Sequence, residues 1–292
     1  MVKDREKLER RLLKIGIAVA AVALCFVLTL LIWRARPKQQ TEPDTVITST
    51  ETAEHTIRPS TVVTTLPPIP LNRFSPEDFA YDEQGYLTCI SEPCLMGIDV
   101  SSYQKNIDWN KVKEAGFSFV MIRVGGRSYG QSGKLYDDTL CQSHYKGAKA
   151  AGLLVGAYMF SQAINTLEAA EEAYYALDQV EDWELDLPLV YDWEYIDDEK
   201  RTAFIYEDVV TECVKTFCDI VKDHGIEPMF YVSPWFGRMK LEELKEYQQW
   251  LALYKDHMDY DYHFDMWQYT SSGKVPGVAG PVDIDIYFPP KE

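Results

Sequence analysis

Residues 96–124 read MGIDVSSYQKNIDWNKVKEAGFSFVMIRV, and this stretch decides the fold class. An apolar run, MGIDV, leads into DWNKVKEAG, which has the spacing of a short helix and stops at Gly116. Glycine just past the last periodic residue is a helix stop. A second apolar run, SFVMIRV (118–124), follows at once. Strand, helix and strand in succession indicate a parallel pair joined by a crossover.

The alternation continues. Strands are expected at 153–160 (LLVGAYMF), 187–194 (LPLVYDWE), 227–233, 250–254, 265–270 and 282–288, and helices at 138–151, 166–182 and 204–224. The last three strands leave no room for full helices between them. Eight strands, with helices mainly after the first five, predict an α/β barrel related to the TIM type, with its chemistry at the C-terminal ends of the strands. Asp99, Arg123, Asp192, Glu194, Ser233 and Gln268 each fall at or near such an end.

Asp192 and Glu194 are two apart on a strand, so both carboxylates face one side. Cutting a glycosidic bond needs one protonated acid for the leaving oxygen and a second negative group at the cationic centre. A lone Asp-x-Glu triplet in an acidic chain is more often a solvated face. Here it ends a run, LPLV, that reads as buried, and charge in such a place needs a reason. Asp99 ends the first strand and Asp283 lies in the last. Closure of the barrel makes those strands neighbours and turns both acids toward the same mouth. Asp285 shares the face of Asp283 and is expected nearer the mouth. Tyr158, Tyr231, Trp235 and Trp267 cluster near the strand ends and are candidates to stack on sugar rings, whereas alternation turns Tyr191 and Trp193 away from the pocket.

The chain has 292 residues and a net charge of −17. Residues 1–36 carry +5, which leaves −22 on the remainder. So acidic a domain is a poor nucleic-acid binder. Ile15 to Trp33 is an uncharged run long enough to span roughly 28 Å as a helix, about one bilayer core. Six basic residues precede it, and this bias favours an N-inside orientation. The run is longer than a leader's apolar core and ends Leu-Leu-Ile-Trp-Arg, so an uncleaved anchor is expected. The predicted order is a basic cytoplasmic tail (1–14), a transmembrane helix (15–33), a disordered Thr/Ser/Pro-rich linker (34–71), a short extension with a hairpin at DEQGYLTC (72–94) and the catalytic domain (95–292), outside the cell. Cys89 and Cys94 flank a short loop that a disulfide can close. Cys213 and Cys218 sit about 140° apart on one helix and are badly placed to bond. No Cys-x-x-Cys or His-x-x-x-His occurs, so neither metal nor cofactor is expected.

Taken in order, MGIDVSSYQKNIDWNKVKEAGFSFVMIRVG, KGAKAAGLLVGAYMFSQA, LPLVYDWE, FYVSPW, WLALY and MWQYTSSGKVPGVAGPVDIDIYF resemble the glycoside hydrolase family 25 lysozymes, the N-acetylmuramidases. The resemblance covers roughly residues 95–288. It implies a flattened (β/α)5β3 barrel and hydrolysis of the β-1,4 bond from N-acetylmuramic acid to N-acetylglucosamine in peptidoglycan. Glu194 matches the family's general acid, Asp192 its partner carboxylate, and Asp99 and Asp283 two further pocket acids. Arg123 stands where many members carry a basic residue. With Tyr158, Tyr231, Trp235, Trp267 and Gln268, it makes up the expected substrate-binding set. A chitinase-like barrel would carry Asp-x-x-Asp-x-Asp-x-Glu; aligned on Glu194, this chain has Leu187 and Val190 at two of those aspartates. A non-catalytic glycan-binding protein is the alternative from another class, and retention of Glu194 argues against it. Retention, inversion and participation of the substrate's N-acetyl group all remain open at this level.

The predicted topology is testable. Protease added to intact protoplasts should cut the linker and release a fragment of roughly 25 kDa, scaled from residue count. Protection of the domain until the membrane is opened would show the opposite orientation.

Overall fold

A computed structural model describes residues 69–233, 239–255 and 257–290. The expected transmembrane helix, almost all of the expected linker, and Trp235 lie outside the described residues. Pro68–Glu292 forms one compact unit.

Its centre is a closed barrel of eight strands: β3 (Leu95–Val100), β4 (Phe119–Arg127), β6 (Leu154–Ser161), β7 (Leu189–Trp193), β8 (Pro228–Val232), β9 (Gln248–Ala252), β10 (Met266–Gly273) and β11 (Val282–Tyr287). A hairpin, β1 (Phe79–Tyr81) with β2 (Leu87–Cys89), precedes it, and a short strand, β5 (Leu135–Asp137), pairs with the end of β4. Neighbouring barrel strands from β3 round to β10 run parallel. The last strand, β11, is antiparallel to both β10 and β3.

Four α-helices lie among the described residues: α1 (Trp109–Glu114), α2 (Cys141–Ala150), α3 (Thr166–Gln179) and α4 (Glu207–Asp223). Their ends follow local chemistry. Asp108 caps α1 by accepting from the Lys111 N–H, and Asn165 caps α3 by accepting from that of Glu168; such caps satisfy orphan donors of the first turn. Gly116, Gly152 and Gly225 take positive φ just beyond α1, α2 and α4. The (β/α)5β3 pattern that the resemblance implies has a helix after its fifth strand, here β8; among the described residues that connection contains one 3-10 turn, Leu241–Glu243.

Strand alternation sorts the core into two layers. Phe119, Met121, Tyr158, Val190, Met229, Tyr231, Trp250, Met266 and Tyr287 point inward and fill the barrel. The alternate residues, among them Val120, Ile122, Tyr191, Phe230 and Trp267, pack outward under the helices and the N-terminal hairpin. Tyr191 stacks at a tilt on Phe217 of α4, with ring centroids 4.6 Å apart. Cys213 and Cys218 are buried on α4, and Cys89 and Cys94 are free thiols, so the local disulfide that their spacing allows is not formed.

Gly97 marks the tightest point of the barrel floor. A Cβ there would lie 2.3 Å from Cε2 of the fully buried Phe119 ring. Overpacking of this kind typically costs about 1–3 kcal/mol. Gly97→Ala should therefore lower Tm by roughly 2–12 °C in a thermal melt. An unchanged Tm would show that the ring has room to move.

Candidate active site

The inward residues at the C-terminal ends of the parallel strands surround a cavity of about 300 Å³. β7 supplies Asp192 and, one step past its end, Glu194; both line the cavity. β3 supplies Asp99 and β11 supplies Asp283, which are direct partners across the closing seam. Arg123, Tyr158, Tyr231 and Gln268 also reach it. Of the residues singled out in the sequence, these eight come together.

Trp267 does not join them. It is fully buried on the outer face of β10, where its indole N–H donates to the Leu253 carbonyl at 2.8 Å and Phe79 of β1 meets its ring edge-on at 4.9 Å. Its neighbour Gln268 faces the cavity, so alternation excludes Trp267 from contact with a substrate. Asp285 also differs from expectation. Because β11 runs antiparallel, moving toward its C-terminus moves down the barrel, and Asp285 pairs with Gly97, a layer below Asp283 and Asp99. There it is fully buried and accepts from the Trp250 indole N–H at 2.9 Å.

Several cavity residues gave no signal in the sequence. Tyr103 and Gln104 come from the turn after β3, Phe160 from β6, Trp250 from β9, and Tyr254 from just beyond it. Trp250 is met edge-on by Tyr158 and Tyr231, at 5.9 and 5.2 Å between centroids. Asp138 was also missed. It is buried and accepts from Nε and Nη2 of Arg123 at 3.0 and 2.9 Å and from the Ser102 N–H at 2.9 Å. Two of the arginine's donor nitrogens are therefore engaged inside the protein, and its guanidinium lies 5.3 Å from the Tyr103 ring. Arg123 remains the positive charge facing the carboxylates.

Gln268 is tied on three sides. It accepts from the hydroxyls of Tyr231 and Tyr254, each at 2.8 Å, and donates to Asp99 at 2.6 Å. Buried Gln162 donates to the Glu194 carbonyl at 2.5 Å and accepts from Thr202, which fixes the backbone that carries the acid.

Burial and mutual repulsion dominate the electrostatics. Desolvation, then the charge of Glu194, push Asp192 well above the ordinary carboxylate range. Desolvation also raises Glu194, against the Asp192 hydrogen bond and the Arg123 charge. Two carboxylates this close titrate as a pair and hold one proton between them. Burial raises Asp99 and Asp285 strongly and brings Asp283 up to about 6. Among the described residues, no group of three or more His, Cys, Asp or Glu is arranged to hold a metal ion.

Fold and site together define an α/β barrel with a cluster of acids at its strand ends. The family model "Glycosyl hydrolases family 25" matches residues 98–278, and the chain belongs to that family. The autolytic lysozyme of Clostridium acetobutylicum is 29% identical over 195 residues, which cover 65% of this chain and 55% of that protein. Lysozyme M1 of Streptomyces globisporus is 35% identical over 82 residues, 28% of this chain and 26% of that one. Among solved structures, the modular autolysin LytC of Streptococcus pneumoniae, in complex with a synthetic peptidoglycan ligand, aligns with a TM-score of 0.60 at 22% identity. That alignment covers 76% of this chain and 52% of LytC. The chain thus spans about half the length of the autolytic lysozyme and of LytC.

Asp285 offers a test of the electrostatics away from the mouth. Its folded-state pKa is raised, so the protonated form favours folding. That stability is complete below the unfolded carboxylate pKa, about 3.9, and is lost as pH rises through the folded value. Asp285→Asn keeps an acceptor for Trp250 and removes the loss. The variant should melt at a higher temperature than the wild type at pH 7, with the gap closing toward pH 4. A gap that widens on acidification would reverse the sign assigned here.

Proposed function

We propose that this chain hydrolyses the β-1,4 bond between N-acetylmuramic acid and N-acetylglucosamine in peptidoglycan. The observation that carries the reading is the same-face pair Asp192 and Glu194, set at a parallel strand end in a cavity that also holds Asp99 and Asp283. Family membership supports it. The barrel is read as the (β/α)5β3 relative of the TIM type, and the domain as one displayed at the outer cell surface by an N-inside span at residues 15–33.

Glu194 is the less buried member of the pair and stands toward the opening. It is the acid that protonates the leaving oxygen. Asp192, deeper and with one carboxylate oxygen unpartnered in the protein, is the negative group that stabilises the cationic centre or orients the attacking group. The positive charge of Arg123 lowers the pKa of both acids, which lets the pair give up its proton during turnover. Asp99 and Asp283 place two further carboxyl groups beside the reacting centre. Tyr158, Tyr231, Tyr103 and Gln268 contribute aromatic surface and amide contacts for the sugar.

Glu194→Gln should lower kcat on purified walls by at least about a hundredfold while substrate binding largely persists, the usual scale for a lost general acid. Asp192→Asn should be similarly severe. Wild-type activity should fall at high pH as the pair loses its shared proton. Wall clearance by Glu194→Gln at near wild-type rate would remove the reading, and would favour binding without catalysis only if the wild type also failed to release muropeptides detectable by mass spectrometry.

A further inference from the structure

The N-terminal hairpin lies outside the residues that match the family, 98–278. It is nevertheless built into the barrel. Phe79 packs on Trp267, the Tyr86 hydroxyl donates to the Lys274 carbonyl at 3.0 Å, and the Leu87 N–H donates to the Tyr269 hydroxyl at 3.3 Å. Between the hairpin turn and the far end of β10 lies a groove of about 620 Å³, larger than the catalytic cavity. The two share Tyr254, whose hydroxyl is bonded to Gln268 in the catalytic cavity. A further hollow of about 560 Å³ continues beyond the groove and shares Tyr86, Ser272 and Lys274 with it. Tyr254 thus stands between the acids of the cavity and the groove along the hairpin.

The sequence has 46 acidic residues against 29 basic ones, yet among the described residues that line the groove there is no Asp or Glu and there are two lysines, Lys255 and Lys274. The hairpin turn carries Asp82, which accepts from the backbone N–H groups of Gln84 and Tyr86 at 3.0 and 2.8 Å, and the exposed Glu83, neither of which lines the groove. Lys255 is half-buried and paired with Asp259 at 2.5 Å. Lys274 is exposed, with no ion pair among the described residues. Tyr81 and Tyr254, 56% and 52% exposed, offer aromatic surface. A neutral sugar chain needs the tyrosines and not the lysines; a carboxylate-bearing branch uses both.

We propose that this groove receives the acidic peptide branch that peptidoglycan carries on its muramic acid units, with Lys274 and Lys255 holding its carboxylates and the hairpin serving as a specificity element. The proposal rests on the glycosidase reading above and adds a part of the substrate to it.

The test uses the full chain in detergent and two substrates: glycan strands with peptide branches, and the same strands stripped of them by an amidase. Lys274→Gln and the double variant Lys255→Gln/Lys274→Gln should raise KM on branched strands by roughly three- to tenfold per lysine, with kcat unchanged. On stripped strands they should match the wild type. Lys274→Arg should restore most of the loss, and 0.5 M salt should erase the wild-type preference for branched strands. Equal effects on both substrates, or none on either, would overturn the proposal. Wild-type failure on both would instead overturn the glycosidase reading on which it rests.

Discussion

The antiparallel pairing of β11 with β3 is the constraint on which the site depends. It closes the barrel, and its register sets how deep each acid lies. With Asp283 opposite Asp99 and Asp285 opposite Gly97, two carboxylates reach the mouth and one is held below. A slip of one residue would turn all of β11's acids outward, because strand side chains alternate with period two. The small floor residue Gly97 belongs to the same arrangement, since the Phe119 ring occupies the place of its missing Cβ. Register, floor packing and acid placement are thus one geometric fact.

That placement is costly. Asp99, Asp192 and Asp285 are buried, and burial together with like charge pushes each toward its neutral form. Among the described residues that line the cavity one cation, Arg123, faces the group, and Asp138 fixes its position while also drawing off part of its charge. Full neutralisation would stabilise the fold but would leave no acid ready to donate. The protein instead leaves the carboxyl groups raised and fixes the surrounding donors, as in the three-way bonding of Gln268. A site held at the expense of stability is a common outcome where function needs unfavourable electrostatics.

Much of this was legible in the sequence because two periodicities carry it. The alternation of apolar runs and helical stretches located every barrel strand, and the i, i+2 rule put Asp192 with Glu194 and turned Tyr191 away. What was not legible depends on direction and on partners distant in sequence. A strand looks the same whichever way it runs, so Asp285 was expected nearer the mouth when it lies deeper. Trp267 looked like a sugar platform by position, although the same alternation applied to Gln268 would have turned it outward. Asp138 and Gln162 act through hydrogen bonds to residues 15 and 32 positions away, and no local pattern signals those.

Trp267 links the core to the hairpin. An outward tryptophan at the end of a barrel needs a cover, and here Phe79 and Phe264 supply it, with Tyr269 packed beside them. The hairpin is anchored by that apolar contact, so its turn is free of packing duty and projects Tyr81 and Gln84 over the groove. The anchor lies on the outer face of β10 and the contact with Asp99 on its inner face, through adjacent residues Trp267 and Gln268. A change in how the hairpin docks must therefore pass through β10, one residue from the amide that holds Asp99. Covering the core and forming one wall of the groove are consequences of the same short segment, because that segment folds back onto the barrel.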